Sequence, residues 1–286
     1  MWFFFAFSAA FSWATADLFS KILMDRRGAD EYITLWSRFL FSLPFLGAAM
    51  LLEGMPRVGT AFWWTILGWL PGDLVASLLY IKAVKGYPLS LVVPLLSTAP
   101  IFMLLTSVVI LGEYPSLFGL LGVVLVTLGA YTLNLHLREE GLLAPLKAVY
   151  KVKGARYAVM AAFIFSVDTA LGKIALRASS HSFFSFFYCL ALGLAFAPVV
   201  LTKSSRPGFV LKDWRFGVIG FLFAAGVYSF LLAIGQANIA YVSGVGRLSM
   251  IIAVLYGRLF FGEIHWRQRL VGSFIILVGV LLILWK

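Results

Sequence analysis

The chain has 286 residues, of which 62% are hydrophobic and 12% charged, and its mean hydropathy is +0.98. These proportions leave too little polar surface to cover a soluble globule of this length, so they indicate an integral membrane protein. The net charge of +11 would suggest a nucleic-acid partner in a soluble protein. Here we expect the lysines and arginines in short connections that meet lipid headgroups, and we expect no nucleic-acid partner.

Ten long apolar runs follow one another along the chain. A membrane-spanning helix needs about 20 mostly apolar residues, and only helices and closed barrels satisfy every backbone hydrogen bond in hydrocarbon. The sequence therefore predicts an all-α integral membrane protein with ten transmembrane helices, at approximately 2–23, 32–52, 61–84, 89–111, 115–136, 155–177, 182–202, 215–236, 240–261 and 266–285. The first run lacks the basic start and cleavage site of a signal peptide, so we expect it to be a mature helix.

The two halves of the chain repeat one pattern with a period of 150 residues. The copies consist of Leu111, Gly112, Glu113, Leu120, Gly122 and Gly129 in the first half and Phe261, Gly262, Glu263, Leu270, Gly272 and Gly279 in the second. Five predicted helices separate the copies, and because five is odd the second copy enters the bilayer inverted. We therefore predict a first five-helix repeat (1–136), an amphipathic linker on the membrane surface (137–154) and a second, inverted five-helix repeat (155–286). Inverted repeats are typical of alternating-access transporters.

Polar side chains inside the apolar runs are the candidates for function, because a charge at bilayer depth costs at least about 2.5 to 3.5 kcal/mol and normally faces a cavity or a partner. In the first helix Trp13, Asp17 and Lys21 lie four residues apart on one face. Asp17 and Lys21 either neutralise each other or contact a substrate, and both can hold together. Arg38, well inside the second helix, is a candidate for holding a carboxylate or phosphate.

The third and fourth helices add polar groups to the first repeat. Pro94 and Pro100 each remove a backbone donor from the fourth helix, which either bends the helix for packing alone or frees carbonyl groups for a ligand. The candidate substrate contacts are Pro94 and Ser97 in this helix, together with three polar residues on one face of the third helix, Asp73, Ser77 and Tyr80.

The second repeat carries its own charges. Asp168 and Lys173 echo the acid and the lysine of the first helix, but five-residue spacing separates them by about 140° around the helix, so we expect different neighbours. Arg247 in the ninth helix lies between glycines that loosen the helix beside a fixed positive charge, and it is our first candidate for contacting an anionic group. The substrate-binding candidates of this repeat are Asp168, Tyr228, Ser243 and Arg247.

The sequence predicts neither catalysis nor a metal centre. Cys189 is the only cysteine, which excludes an intrachain disulfide and a thiolate cluster, and the three histidines fall at predicted helix ends. The intramembrane acids form no acid pair or serine and histidine arrangement that helical spacing would reveal. We therefore expect no enzyme activity, no catalytic residue, no cofactor and no bound metal.

Two further features have structural interpretations. We expect Glu113 and Glu263 to cap the fifth and tenth helices at their N-termini. We expect the paired glycines at 122, 129, 272 and 279 to mark places where helices touch backbone to backbone.

The order and spacing of several residues are specific when they are taken together. They are Trp13 and Lys21, the stretches 36–40 and 80–85, Pro94 and Pro100, and the Leu-Gly-Glu phrase at 111–113 ahead of Gly122 and Gly129. This pattern resembles the EamA-type repeat of the drug/metabolite transporter superfamily over nearly the whole chain. The resemblance implies a ten-helix bundle with a central cavity lined by helices one, three, four, six, eight and nine, and the export or exchange of small polar metabolites, often amino acids. The intramembrane acids and Arg247 favour a zwitterionic or anionic substrate.

The expected location is the cytoplasmic (inner) membrane, and the expected partners are a small-molecule substrate and membrane lipids. Basic residues concentrate in the odd-numbered connections, which places both termini outside by the positive-inside rule, whereas members of the resembled family commonly keep both termini in the cytoplasm. A proton-driven antiporter, a facilitator and an exchanger are all compatible with these residues. The alternative class is a lipid-handling protein or a non-transporting membrane partner subunit, which a groove open sideways to lipid would favour.

Overall fold

The computed structural model describes residues 1–87, 89–133, 144–204, 213–261 and 270–285. These residues form thirteen helices: α1 (Trp2–Arg27), α2 (Glu31–Glu53), α3 (Thr60–Gly86), α4 (Leu89–Leu96), α5 (Ala99–Leu111), α6 (Leu117–Leu133), α7 (Ala144–Lys151), α8 (Lys153–Arg177), α9 (His181–Lys203), α10 (Arg215–Gln236), α11 (Ile239–Gly246), α12 (Leu248–Phe261) and α13 (Leu270–Leu284). The described ranges contain no strand.

Ten helical stretches of the described residues are apolar enough to belong in a membrane. Eight of them have the length and hydropathy of a membrane span, and α6 and α13 are two shorter apolar helices. Two of the eight consist of a helix pair, α4 with α5 and α11 with α12. Large apolar side chains such as Trp64, Val109 and Leu259 stay exposed, as expected of a surface that faces lipid. The prediction of an all-α membrane protein with ten spanning helices is confirmed. The linker contains the short helix α7, on which Leu146 and Tyr150 are exposed.

Contacts along the chain define two compact units, and the first comprises Met1–Phe62 and Leu176–Gln236. Within it α1 packs against α10, and α2 packs against both α9 and α10. Asp30 caps α2 by accepting a 2.9 Å hydrogen bond from the N–H of Ile33. The interior contains a cluster of buried apolar side chains, Leu23, Ile33, Val200, Phe216 and Ile219.

The second unit comprises Trp63–Ala175 and Ala237–Lys286, and its helices α6 and α13 touch backbone to backbone. A Cβ added to Gly129 would lie 2.7 Å from the backbone nitrogen of Ile276, and one added to Gly279 would lie 2.7 Å from the carbonyl oxygen of Gly122. Only glycine permits such an approach. The prediction that the paired glycines mark close helix contacts is therefore confirmed. Within the same unit α11 packs against α5 and α6.

The Leu-Gly-Glu phrase of the first repeat ends α5. Gly112 has a φ of +67°, in the left-handed region that glycine adopts without a steric penalty. The N–H of Glu113 then donates to the carbonyl oxygen of Ser107 at 2.9 Å, which closes the helix end. The turn places the Glu113 side chain against Lys173 of α8.

Candidate functional site

The thirteen candidate substrate contacts fall in both units. The first unit contains five of them, Trp13, Asp17, Lys21, Arg38 and Tyr228, and the second unit contains the other eight, Asp73, Ser77, Tyr80, Pro94, Ser97, Asp168, Ser243 and Arg247. Each unit therefore has its own set of polar side chains on predominantly apolar helices.

In the first unit, Arg38 of α2 binds Asp17 of α1. The Nη2 atom of Arg38 lies 2.7 Å from Oδ1 of Asp17 and donates to the hydroxyl of Ser20 at 3.0 Å. The Asp17 side chain is 59% exposed and that of Arg38 is 23% exposed. The Asp17 carboxylate is therefore held by a cation from the neighbouring helix, and Lys21, one turn further along α1, is half-buried.

Trp13 and Tyr228 lie where α1 and α2 pack against α10. Trp13 contacts Phe230 with 5.3 Å between ring centroids, and a Cβ added to Gly226 would lie 2.5 Å from its Nε1. That Nε1 is buried and has no hydrogen-bond partner among the described residues. The hydroxyl of Tyr228 donates to the carboxylate of Glu53, a residue that the sequence did not single out.

In the second unit, α3 and α8 bring two buried carboxyl groups together. Asp73 is 8% exposed and Asp168 is 5% exposed, and the two are close enough to interact electrostatically. A Cβ added to Gly72 would lie 2.5 Å from Oδ1 of Asp168, so the backbone of α3 lies against that carboxyl group. Further along α3, Ser77 is half-buried and Tyr80 is exposed.

The fourth and ninth spans of the second unit are both interrupted. The proline ring of Pro100 would clash with the carbonyl of Leu96 in a continuous helix, and α4 ends at Leu96. The Ser97 hydroxyl, 1% exposed, donates to the Val93 carbonyl at 3.0 Å, and Pro94 is buried. The prediction that prolines disrupt this helix is confirmed.

Arg247 is the residue between α11 and α12, where the second interruption lies. Its N–H donates to the carbonyl oxygen of Gly244 at 3.0 Å, in the tight turn that ends α11. The Nε of its guanidinium group is buried and has no hydrogen-bond partner among the described residues. Ser243, four residues earlier, is half-buried.

A buried ion pair joins α8 to the end of α5. The Nζ of Lys173 lies 2.8 Å from Oε1 of Glu113 and donates to the carbonyl oxygen of Ala237 at 2.6 Å. The prediction that Glu113 caps the fifth spanning helix is wrong, because Ser116 takes that place by accepting from the N–H of Gly119 at 3.1 Å. The matching prediction for Glu263 lies outside the described residues.

The ion pair of Lys173 is the main feature that sequence reasoning missed. Both residues stood out by repetition, since Lys173 echoes the lysine of the first helix and Glu113 belongs to the repeated phrase. Their pairing depends on a contact across 60 residues that helical spacing does not reveal. The expectation that Asp168 and Lys173 have different neighbours is confirmed.

The buried charges on spanning helices define the class of this molecule, a multi-pass integral membrane protein with the architecture of a transporter. The described residues contain no cluster of histidine, cysteine and acidic side chains that could hold a metal ion. The family model of the EamA-like transporters matches residues 1–135 and 152–285, and the chain therefore belongs to the EamA-like transporter family of the drug/metabolite transporter superfamily. Its members are membrane transporters and not enzymes.

The proteins that resemble this chain include the following two relatives and one solved structure. An uncharacterised transporter from Archaeoglobus fulgidus is 26% identical over 215 residues, which are 73% of this chain and 71% of that protein. A protein from Salmonella typhimurium named as a probable amino-acid metabolite efflux pump is 34% identical over 134 residues, but these are only 43% of this chain and 45% of that protein. One crystal structure matches with a TM-score of 0.72 at 15% identity. The match covers 98% of this chain and 95% of the chain in that structure, and it shows a shared fold alone.

Proposed function

We propose that this transporter exports small polar metabolites of the amino-acid class by alternating access, and that Arg247 contacts the carboxylate of the substrate. The position of Arg247 carries the proposal. Its side chain is a cation at an interruption between two half-helices, with a buried Nε that has no partner among the described residues. Arg247 immediately precedes the first turn of α12, and the N-terminal end of a helix carries a partial positive charge that favours an anion.

The internal repeat and a relative support this reading. Ser97 and Arg247 are separated by the 150-residue period, so the fourth and ninth spans are interrupted at equivalent positions. Interrupted helices at matching positions of two repeats are typical of substrate sites in secondary transporters. The relative named as a probable amino-acid metabolite efflux pump favours the amino-acid class and the outward direction. The other candidate contacts stay predictions, each within its own unit.

The first experiment measures transport by purified protein in lipid vesicles. Labelled amino acids and organic anions are tested, together with amines that lack a carboxylate. A charge-assisted hydrogen bond is worth about 1.5 to 3 kcal/mol, so Arg247→Ala should raise the KM for carboxylate substrates roughly 10- to 150-fold. An amine that the protein transports should keep its KM, because it makes no bond to the guanidinium group.

The matched control is Arg258→Ala, which removes an exposed arginine from α12, the helix that follows Arg247. This variant should transport carboxylate substrates as the unmodified protein does. Arg247→Lys separates the charge from the geometry, since lysine keeps the charge but loses the planar fork of donors. If Arg247→Ala leaves the transport of every tested amino acid and organic anion unchanged, the assignment of Arg247 is wrong.

Alternating access has its own test. Cys189 is a buried cysteine and the only one in the chain, so Cys189→Ala gives a background without thiols. A cysteine introduced at Ser243 in that background should react with membrane-impermeant thiol reagents from both sides of the vesicle. Substrate should change the two rates in opposite directions. Reaction from one side only, with and without substrate, would contradict alternating access.

A further inference from the structure

The short helix α7 presents two kinds of side chain outward. Leu146 and Tyr150 are exposed four residues apart along one edge of the helix. Lys147 and Lys151 are exposed four residues apart along the neighbouring edge. These four residues form the α7 surface, which belongs to the second unit.

The opposite face of α7 is packed against the protein. Ala148, Val149 and Val152 lie against a cluster of buried apolar side chains that includes Val92 and Leu95 of α4. The helix α7 as a whole packs against α4. Since one face is buried in this way, the packing holds the α7 surface outward.

The positive charge of the α7 surface is not compensated nearby. Neither Lys147 nor Lys151 has an ion-pair partner among the residues that the structure describes. Lys153 and Arg156, both exposed in the first turn of α8, add two further cations. Along the sequence, residues 138–156 contain five cations and two acids, although the first of them lie outside the described ranges. The stretch therefore attracts anions.

An anionic phospholipid matches both edges of the α7 surface. Its phosphate group is a negative charge that the ammonium group of a lysine binds. Helices with lysine on one face and apolar residues on the other lie in the interface between headgroups and acyl chains, where tyrosine is also enriched. A water-soluble anion would leave Leu146 and Tyr150 in water. The combination of charge and apolar edge therefore favours a lipid.

We propose that Lys147 and Lys151 bind the phosphate groups of anionic phospholipids, and that the bound lipid holds α7 and the half-helix α4 at the membrane surface. Because α4 carries Pro94, lipid bound here acts on the interrupted fourth span. The inference goes beyond the proposed function and is independent of which substrate is transported.

The experiment measures which lipid the purified protein retains. The protein is reconstituted into phosphatidylcholine vesicles with increasing fractions of phosphatidylglycerol and extracted with a mild detergent, and the retained lipids are quantified by mass spectrometry. The unmodified protein should retain phosphatidylglycerol in preference to phosphatidylcholine. The double variant Lys147→Gln with Lys151→Gln should raise the fraction of phosphatidylglycerol needed for half-maximal retention roughly 5-fold or more.

A charge-matched control accompanies the double variant. Arg57→Gln with Lys203→Gln removes two exposed cations of the first unit and changes the net charge by the same amount. This control should retain phosphatidylglycerol as the unmodified protein does. Salt tests the same charges without a substitution, because the Debye length falls from about 10 Å at 0.1 M to about 3 Å at 1 M. Reconstitution and extraction at the higher salt should therefore reduce the preference of the unmodified protein.

A second measurement uses the unmodified protein and so does not depend on the folding of a variant. A water-soluble amine reagent is applied to vesicles with and without phosphatidylglycerol, and the modified lysines are identified by mass spectrometry of peptides. Phosphatidylglycerol should slow the modification of Lys147 and Lys151 more than that of Lys203, which is exposed at the end of α9.

Several outcomes would overturn the proposal. Equal retention of the two lipids by the unmodified protein refutes it, and so does an equal effect of the double variant and its control. Equal slowing of all three lysines would show only the general charge of the vesicle surface. If inorganic phosphate in phosphatidylcholine vesicles protects Lys147 and Lys151 as well as phosphatidylglycerol does, the surface binds a free anion and the lipid assignment is wrong. Unchanged reactivity of both lysines would leave the surface open to a protein partner instead.

Discussion

The buried ion pair between Glu113 and Lys173 allows a sharp prediction about stability. The Lys173 side chain is 3% exposed and that of Glu113 is 21% exposed. The two partners are therefore not equivalent, because the carboxylate reaches water and the ammonium group does not. We predict that Glu113→Gln lowers the free energy of unfolding more than Lys173→Met does.

The magnitudes follow from what each variant leaves behind. Removing one partner of a buried ion pair costs about 3 to 5 kcal/mol, because the other charge stays buried without compensation. Glu113→Gln leaves the ammonium group with the carbonyl oxygen of Ala237 at 2.6 Å and a neutral amide, so a loss of about 3 kcal/mol is expected. Lys173→Met leaves a carboxylate that water can partly hydrate, which reduces the loss to about 1 to 2 kcal/mol. The double variant should be more stable than Glu113→Gln alone.

Equilibrium unfolding in mixed micelles measures these differences. Lys153→Met, which removes an exposed lysine from the same helix, should change the free energy of unfolding by less than about 0.5 kcal/mol. The reasoning is refuted if Glu113→Gln is as stable as the unmodified protein or less harmful than Lys173→Met. A double variant that merely adds the two losses would show that the groups do not interact.

Three further predictions concern packing and caps. Gly129→Ala should lower the free energy of unfolding by about 1 to 3 kcal/mol, because its methyl group would meet the backbone of α13. Gly217→Ala, which has open space around it, should leave the free energy of unfolding unchanged. Equal stability of the two variants in thermal unfolding would contradict the close contact. Tyr241→Phe removes a 2.7 Å hydrogen bond to a backbone N–H ahead of α6 and should cost about 1 kcal/mol, and the exposed Tyr150→Phe should cost nothing measurable. Asp30→Ala removes the cap of α2 and should cost about 1 kcal/mol in the same assay, while an unchanged value would show that the cap is dispensable.

The spanning helices could be predicted from the sequence because lipid imposes a strong constraint on the backbone. A chain that crosses hydrocarbon must satisfy each backbone group within its own helix, so apolar length alone locates the spans. The predicted fourth segment, 89–111, matches α4 and α5 from Leu89 to Leu111, and the predicted ninth, 240–261, matches α11 and α12 within one residue. The interruption of the fourth segment also followed from its prolines, since their effect on a helix is local.

The partners of the buried charges could not be predicted in the same way. Helical spacing placed Lys21 on the same face as Asp17, but it did not reveal Arg38 of the next helix, which lies 2.7 Å from the Asp17 carboxylate. Glu113 was expected to cap a nearby helix, and it binds Lys173 instead. Spacing along one helix determines which residues share a face, whereas a salt bridge between helices depends on how two helices pack. That packing is set by many small apolar contacts and leaves no local signal in the sequence.

The two repeats reach the same interruption by different chemistry, and this difference supports a role for the interruption itself. At the 150-residue offset, Pro94 corresponds to Gly244 and Ser97 corresponds to Arg247. Pro100 ends the first of these helices because its ring would clash with the carbonyl of Leu96, whereas the glycines before Arg247 lower the cost of leaving the helical conformation. In the first repeat the interruption contains Ser97, whose hydroxyl donates to the carbonyl oxygen of Val93. In the second repeat it contains Arg247, whose buried Nε has no hydrogen-bond partner among the described residues. Under the proposed function the substrate has one carboxylate and needs one such cation, and the divergence between Ser97 and Arg247 agrees with that proposal.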